Sequence, residues 1–226
     1  IWDVLPSPII SPQPLPMEML DQNQGLMLYR TELIGHKSGK LTIWEPHDYA
    51  LVFLDGKFID TVYRDGGNWT VDLPKTASPN PVLDILVEGM GHINFAQFMI
   101  DRKGITDRVT LNGMTLMNWQ VFPLPMDAAF VANAATQDRG ISEGPGIFFK
   151  GNFNLTALGD TYFDMSKYSK GMLYINGHNL GRYWNVGPQQ RLFCPASWLK
   201  KGNNEIIVFF FFLTESKPIL AYKTLE

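Results

Sequence analysis

Apolar residues along this chain fall into short runs separated by Gly, Pro, Asn and Asp, and the 3.6-residue spacing of an amphipathic helix is almost absent. Runs rich in Val, Ile, Phe, Tyr and Thr predict strands over 26–33, 41–44, 49–54, 58–63, 69–73, 82–87, 93–99, 109–111 and 115–119. A second block predicts strands over 146–155, 161–164, 171–176, 178–184, 191–194 and 205–213. Asp55-Gly56, Asn112-Gly113 and Asn176-Gly177 each sit between such runs. A type I′ turn needs positive φ at both central residues, which these pairs tolerate best, so three hairpins are expected. The fold class is therefore all-β, with sandwiches preferred over a barrel of alternating strands and helices.

Exceptions to the strand pattern are few. Asp127 can cap a short helix over 127–135, and 195–202 has the Lys-rich end and terminal Gly of a single helical turn. Residues 206–212 are all apolar, which predicts a strand buried on both faces and covered by another surface. The opening stretch holds Pro6, Pro8, Pro12, Pro14 and Pro16, so it must be extended, at a sheet edge or outside a sheet. The resulting division is a proline-rich segment over 1–19, a first β-sandwich over 20–121 and a second, jelly-roll domain over 122–226. A chain that starts at Ile1 is expected to be a piece of something longer.

Composition narrows the function classes. A net charge of -3 gives no basic face for nucleic acid or an anionic membrane, so neither is expected as a partner. The single cysteine, Cys194, leaves no internal disulfide and no multi-cysteine zinc site, and its apolar neighbours predict a buried, inert thiol. His36, His47, His92 and His178 are widely spaced, so no metal and no other cofactor is expected.

Glycoside cleavage needs two facing carboxylates. Asp160, Asp164 and Glu88 have contexts that suit turns or ion pairs better, and no catalytic residue is expected. Trp44, Trp69, Trp119, Trp184 and Trp198 could stack on sugars, although a small sandwich needs most of them in its core.

Longer motifs carry a resemblance. The run from Gly171 through Asn176-Gly177 to Gly181-Arg182-Tyr183-Trp184, with Gly187-Pro188-Gln189-Gln190 after it, is similar to a segment of family 35 β-galactosidases. Gln24-Gly25 with Tyr29-Arg30-Thr31, and Glu88-Gly-Met90-Gly91-His92-Ile93-Asn94-Phe95 followed by Lys103-Gly104-Ile105, resemble the same family's first β-domain. The resemblance implies two C-terminal β domains, the second galactose-binding-like, downstream of a catalytic (β/α)8 barrel that this chain lacks. A barrel alone needs about 250 residues.

The upstream barrel is then the expected partner, and a terminal β-galactoside meets the chain through the parent enzyme. His92, Asn94 and Phe95 are the implied rim residues near the sugar beyond the galactose. Phe95 stands where the family has tyrosine, and His92 where it has arginine. An independent carbohydrate-binding module and an oligomerisation scaffold are the alternatives. A periplasmic or secreted bacterial parent is expected, and the glycosylation-type triplets at Asn68 and Asn154 matter only in a eukaryotic secretory setting.

Overall fold

The computed structural model describes residues 1–95, 97, 99–136, 145–212 and 217–225. The chain divides into two all-β units, Leu5–Met126 and a second made of Ile1–Val4 with Asp127–Glu226. In the first unit the strands are β1 (Ile9–Ser11), β2 (Gly25–Glu32), β3 (Gly39–Ile43), β4 (Pro46–His47), β5 (Tyr49–Leu54) and β6 (Lys57–Tyr63). They continue as β7 (Thr70–Leu73), β8 (Val82–Gly89), β9 (Gly104–Ile105), β10 (Val109–Leu111), β11 (Met114–Thr115) and β12 (Trp119–Leu124). An antiparallel six-stranded sheet in the order β1-β12-β2-β8-β5-β6 shares one core with a four-stranded sheet, β11-β10-β3-β7.

Side-chain alternation explains this sandwich. In β3, Leu41 and Ile43 are buried between outward Lys40 and Thr42, and in β7 Val71 and Leu73 flank exposed Asp72. Met27, Tyr29, Val52, Ile85 and Val87 supply the other wall, with Trp119 wholly buried among them. Fully burying one such side chain stabilises the fold by roughly 1.5–3 kcal/mol. Leu26, Leu28, Leu51, Phe53 and Leu86, on the opposite face of the six-stranded sheet, are buried too. A strand covered on both faces has no reason to alternate, which is why 50–54 reads as one apolar run.

The proline-rich opening contributes β1, the edge strand of the large sheet, paired with Trp119–Val121 of β12. Because β1 accompanies only those three residues, Pro123 can continue β12 against Met27 of β2 without breaking a ladder on its other side. The first unit thus runs on to Met126. The strand expected over 115–119 is instead split, with Met114–Thr115 in β11 and Trp119 opening β12. The described residues of 93–99 form no ladder, and the Ile93 amide donates to Asp101.

The second unit contains β13 (Ile147–Leu155), β14 (Thr161–Asp164), β15 (Lys170–Ile175), β16 (His178–Trp184), β17 (Arg191–Cys194), β18 (Gly202–Phe210) and β19 (Leu220–Tyr222). They form the sheets β13-β18-β15-β16 and β17-β14-β19. The apolar run belongs to β18, between β13 and β15, although Leu213 lies outside the described residues. Much of its cover comes from the unit itself. Phe209 packs on Phe148 at 4.9 Å and Phe210 on Tyr168 at 4.8 Å. Residues 209–211 are therefore buried within this chain, and not an open face awaiting another domain.

Local signals in the sequence have direct counterparts. Asp55-Gly56, Asn112-Gly113 and Asn176-Gly177 have positive φ throughout and close the β5–β6, β10–β11 and β15–β16 hairpins. Helix α1 (Ala128–Ala134) begins where Asp127 accepts the Phe130 amide at 2.8 Å, and Ala196–Trp198 is a 3-10 turn.

Gly171 of β15 marks the tightest approach in the second unit. A Cβ there would lie 2.0 Å from the Phe209 carbonyl oxygen and 2.2 Å from the Tyr183 hydroxyl. Gly171→Ala is expected to destabilise by about 3 kcal/mol, the upper end of ordinary overpacking. The urea midpoint measures it, and a change below about 0.5 kcal/mol would contradict this packing.

Candidate functional site

His92, Asn94 and Phe95 all lie on the connection from β8 to β9, which leaves the sandwich at Gly89 and returns at Gly104. All three are exposed, but their surroundings differ. The His92 ring is engaged, with Nε2 3.0 Å from Glu18 Oε1. Phe95 points outward at 80% exposure, in the company of Met99 at 62% and Ile100 at 90%. Ile93 is also exposed, so the described residues of the connection include four exposed apolar side chains.

Beneath this connection sits a buried ion cluster. Lys103 is fully buried, and its Nζ lies 2.9 Å from Asp48 Oδ2 and 2.9 Å from Asp101 Oδ2. Arg64 approaches the same carboxylates from the side, with Nη1 3.1 Å from Asp48 Oδ1 and 2.8 Å from Asp101 Oδ1. Two positive groups thus face two negative ones, as low-dielectric surroundings require. His47 adds to the rim. Its Nδ1 is 2.7 Å from the Arg102 carbonyl and its Nε2 is 3.1 Å from Glu45 Oε2.

The carboxylates also hold the backbone of the connection. The Met90 amide donates to Asp48 Oδ2 at 2.7 Å, and the Ile93 amide donates to Asp101 Oδ2 at 3.1 Å. On the returning arm, the Lys103 amide donates to both oxygens of Glu18 at 3.0 Å, and the Lys103 carbonyl accepts the Met17 amide at 2.8 Å. Gly104 then passes under Tyr29, where a Cβ would come within 2.2 Å of the phenol oxygen. That hydroxyl accepts the Ile105 amide at 3.0 Å and donates to the Leu15 carbonyl at 2.8 Å.

Neither the ion cluster nor Glu18 is evident from spacing, because its members are scattered between Glu18 and Lys103. The available signal is Asp101 and Lys103 flanking Arg102 just before Gly104, with two charges placed where a β strand resumes.

The remaining motif residues have structural duties. Arg30 pairs with buried Asp84 through two bonds of 2.7 and 3.1 Å, and the Thr31 hydroxyl reaches the Met117 carbonyl at 2.9 Å. Asn176 donates to the Trp198 carbonyl at 2.7 Å and accepts the Glu205 amide at 3.0 Å, tying the hairpin to β18. Asp160 accepts the Ala196 amide, and Asp164 pairs with Arg191. Burial pushes the Cys194 thiol up to about 11, so it is protonated at neutral pH.

Each of the candidate stacking tryptophans has its own surroundings within its unit. Trp119 is in the core, Trp44 lies under Arg108, Trp184 under Lys170, and Trp198 stacks on His178 at 4.4 Å. Trp69 packs against the first core and donates to the Arg64 carbonyl. Among the described residues no group of three or more His, Cys, Asp and Glu could hold a metal ion.

Two outcomes follow for the ion cluster. Lys103→Met leaves two buried carboxylates with Arg64 alone and is expected to cost about 3–5 kcal/mol of stability, read from chemical denaturation. Burial alone would raise the Asp101 pKa. The bonds from Lys103, the Ile93 amide and Arg64 outweigh it and hold this carboxyl well below the usual range. A depressed folded value stabilises the fold above the unfolded pKa of about 4, and that contribution disappears as pH falls through the folded value. The stability gap between the wild type and Asp101→Asn should therefore be flat from pH ~5 to ~8 and shrink only below pH ~4. A gap that closes near pH ~6 would contradict the assignment.

Comparison with known proteins now bears on this geometry. Residues 14–125 match the profile of the β-galactosidase first all-β domain, and residues 146–204 match that of the β-galactosidase galactose-binding domain. A β-galactosidase of Xanthomonas manihotis is 38% identical over 87% of this chain and 32% of its own length. β-Galactosidase 1 of Dictyostelium discoideum is 33% identical over 94% of the chain and 34% of its own length. The human β-galactosidase-1-like protein 2 is 34% identical over 92% of the chain and 34% of its own length. The chain thus spans about a third of the length of the relatives it matches. With both of its units matched in order, the chain belongs to the β-galactosidase family, of which it carries the first all-β domain and the galactose-binding domain.

Proposed function

We propose that this chain is the non-catalytic β portion of an enzyme that hydrolyses terminal β-galactosides. In this reading it braces an upstream catalytic barrel and shapes the acceptor side of that barrel's site. The observation that carries the reading is the apolar group Ile93, Phe95, Met99 and Ile100, displayed on a connection whose two arms are held by buried charges. A loop with this composition would collapse onto its own core if it were free to do so. Fixed ends would hold its exposed apolar side chains available to a partner surface.

Phe95 is the residue best placed to meet a sugar. Its ring offers a flat apolar face to the C–H side of a pyranose, and it has no hydroxyl to fix orientation. His92 is held by Glu18 and would act by setting the course of the loop, with exposed Asn94 beside it as the polar group. The chain's part in the reaction is therefore to orient the leaving sugar. Bond cleavage would belong to the barrel.

Phe95→Ala in the full-length enzyme is expected to raise KM for galactosyl disaccharides about two- to ten-fold, the worth of one lost stacking contact, and to change linkage preference. Steady-state kinetics on a panel of linkages measures this. Unchanged KM and unchanged preference would overturn the acceptor-side role. Calorimetric titration of the isolated chain with galactosides separates the other classes. Micromolar to millimolar binding would favour an independent carbohydrate-binding module, and concentration-dependent mass would favour an oligomerisation scaffold.

A further inference from the structure

We infer that Asp101 is a positioning residue for acceptor recognition: it closes the 93–101 segment on itself and thereby fixes where Phe95 stands. This rests on the reading above, in which Phe95 meets the acceptor sugar.

The geometry is that of a latch. Asp101 lies on the returning arm, and its Oδ2 accepts the Ile93 amide from the outgoing arm at 3.1 Å. One carboxylate thus defines the neck of a loop with Phe95 two residues beyond it. The latch is itself clamped, because Lys103 Nζ and Arg64 Nη1 hold both of its oxygens at 2.9 and 2.8 Å. His47 Nδ1 stands 3.3 Å from Oδ1. Asp101 is 4% exposed, whereas Ile93 is 38% exposed.

Asp48 has a different task. It holds Met90 at the foot of the loop, ahead of the neck, and it shares Lys103 and Arg64 with Asp101. Neutralising Asp101 leaves Asp48 alone against Lys103 and Arg64, so Asp101→Asn removes both the neck acceptor and one charge of the cluster. Removing the Ile93 donor instead breaks the neck bond with every charge kept.

Apolar side chains around the neck give the latch its purpose. Phe95, Met99 and Ile100 have little intramolecular contact to hold them, as their exposures of 80, 62 and 90% show. Their placement must come from the backbone that carries them. Among the described residues the Asp101–Ile93 bond lies two residues from Phe95, and the Glu18 bonds to His92 and Lys103 steady the arms on either side.

The test is a double-mutant cycle in the full-length enzyme with Asp101→Asn, Phe95→Ala and the pair, read as KM and kcat on a galactosyl disaccharide. Asp101→Asn should raise KM about two- to ten-fold with a smaller effect on kcat, and it should add less than about two-fold when Phe95 is already alanine. Ile93→Pro, which removes the donated N–H and leaves every charge in place, should reproduce the KM change. It also serves if Asp101→Asn does not fold. Equal, independent losses from Asp101→Asn in both backgrounds would mean a general structural role and overturn the inference. Phe95→Ala altering KM while Asp101→Asn and Ile93→Pro do not would overturn it as well, with the acceptor-side reading intact. If Phe95→Ala itself leaves KM and linkage preference unchanged, the reading beneath the inference fails and the inference falls with it.

Discussion

A lysine with no exposed surface, Lys103, is the point on which the first sandwich depends. An ammonium cannot leave water unless anions follow it, and here Asp48 and Asp101 do so from different segments of the chain. Each aspartate then has acceptor capacity left for a backbone amide, Met90 for one and Ile93 for the other. Arg64 restores the balance of charge. One buried cation thereby ties the start of β5, the chain after β6 and both arms of the β8–β9 connection. An apolar residue at position 103 could fill the same volume, but it could not specify which segments meet there.

The second unit reaches order by other means. Its centre is a strand apolar on both faces, packed by Phe148, Phe149, Tyr168 and Tyr183, and its hairpin is fastened by the neutral amides of Asn176 and Asn204. Gly171 lets the Tyr183 hydroxyl reach the Phe209 carbonyl at 3.1 Å. Buried charge is concentrated where an exposed loop must be held in place. The jelly roll relies on shape and neutral hydrogen bonds, with buried Lys170 lying over the Trp184 and Phe211 rings.

Much of this architecture is readable from local chemistry. Asn-Gly and Asp-Gly fix hairpins because positive φ is a property of two adjacent residues, and Asp127 caps α1 because capping reaches only three residues along the chain. The failures have the opposite character. Among the described residues of 93–99 no ladder forms, and the Ile93 amide bonds to Asp101 instead of a neighbouring strand. The end of β12 runs past Pro123 because its pairing with β2 is a long-range fact. Of the proposed site, the resemblance in sequence picks out His92, Asn94 and Phe95. The groups that hold them, Glu18, Asp48, Arg64, Asp101 and Lys103, come together only in three dimensions.

Family membership gives the loop its context: a chain about a third the length of its relatives presents an apolar group on a fixed support. The account's central claim is that this group faces a catalytic domain beside its sugar site. Photo-crosslinking from position 95 tests it most directly, with a benzophenone side chain replacing Phe95 in the full-length enzyme and the adducts mapped by mass spectrometry. The account predicts adducts in the catalytic domain at the mouth of its active site, suppressed by a bound galactosyl disaccharide. Adducts confined to the β domains, or formed equally with and without the sugar, would contradict it.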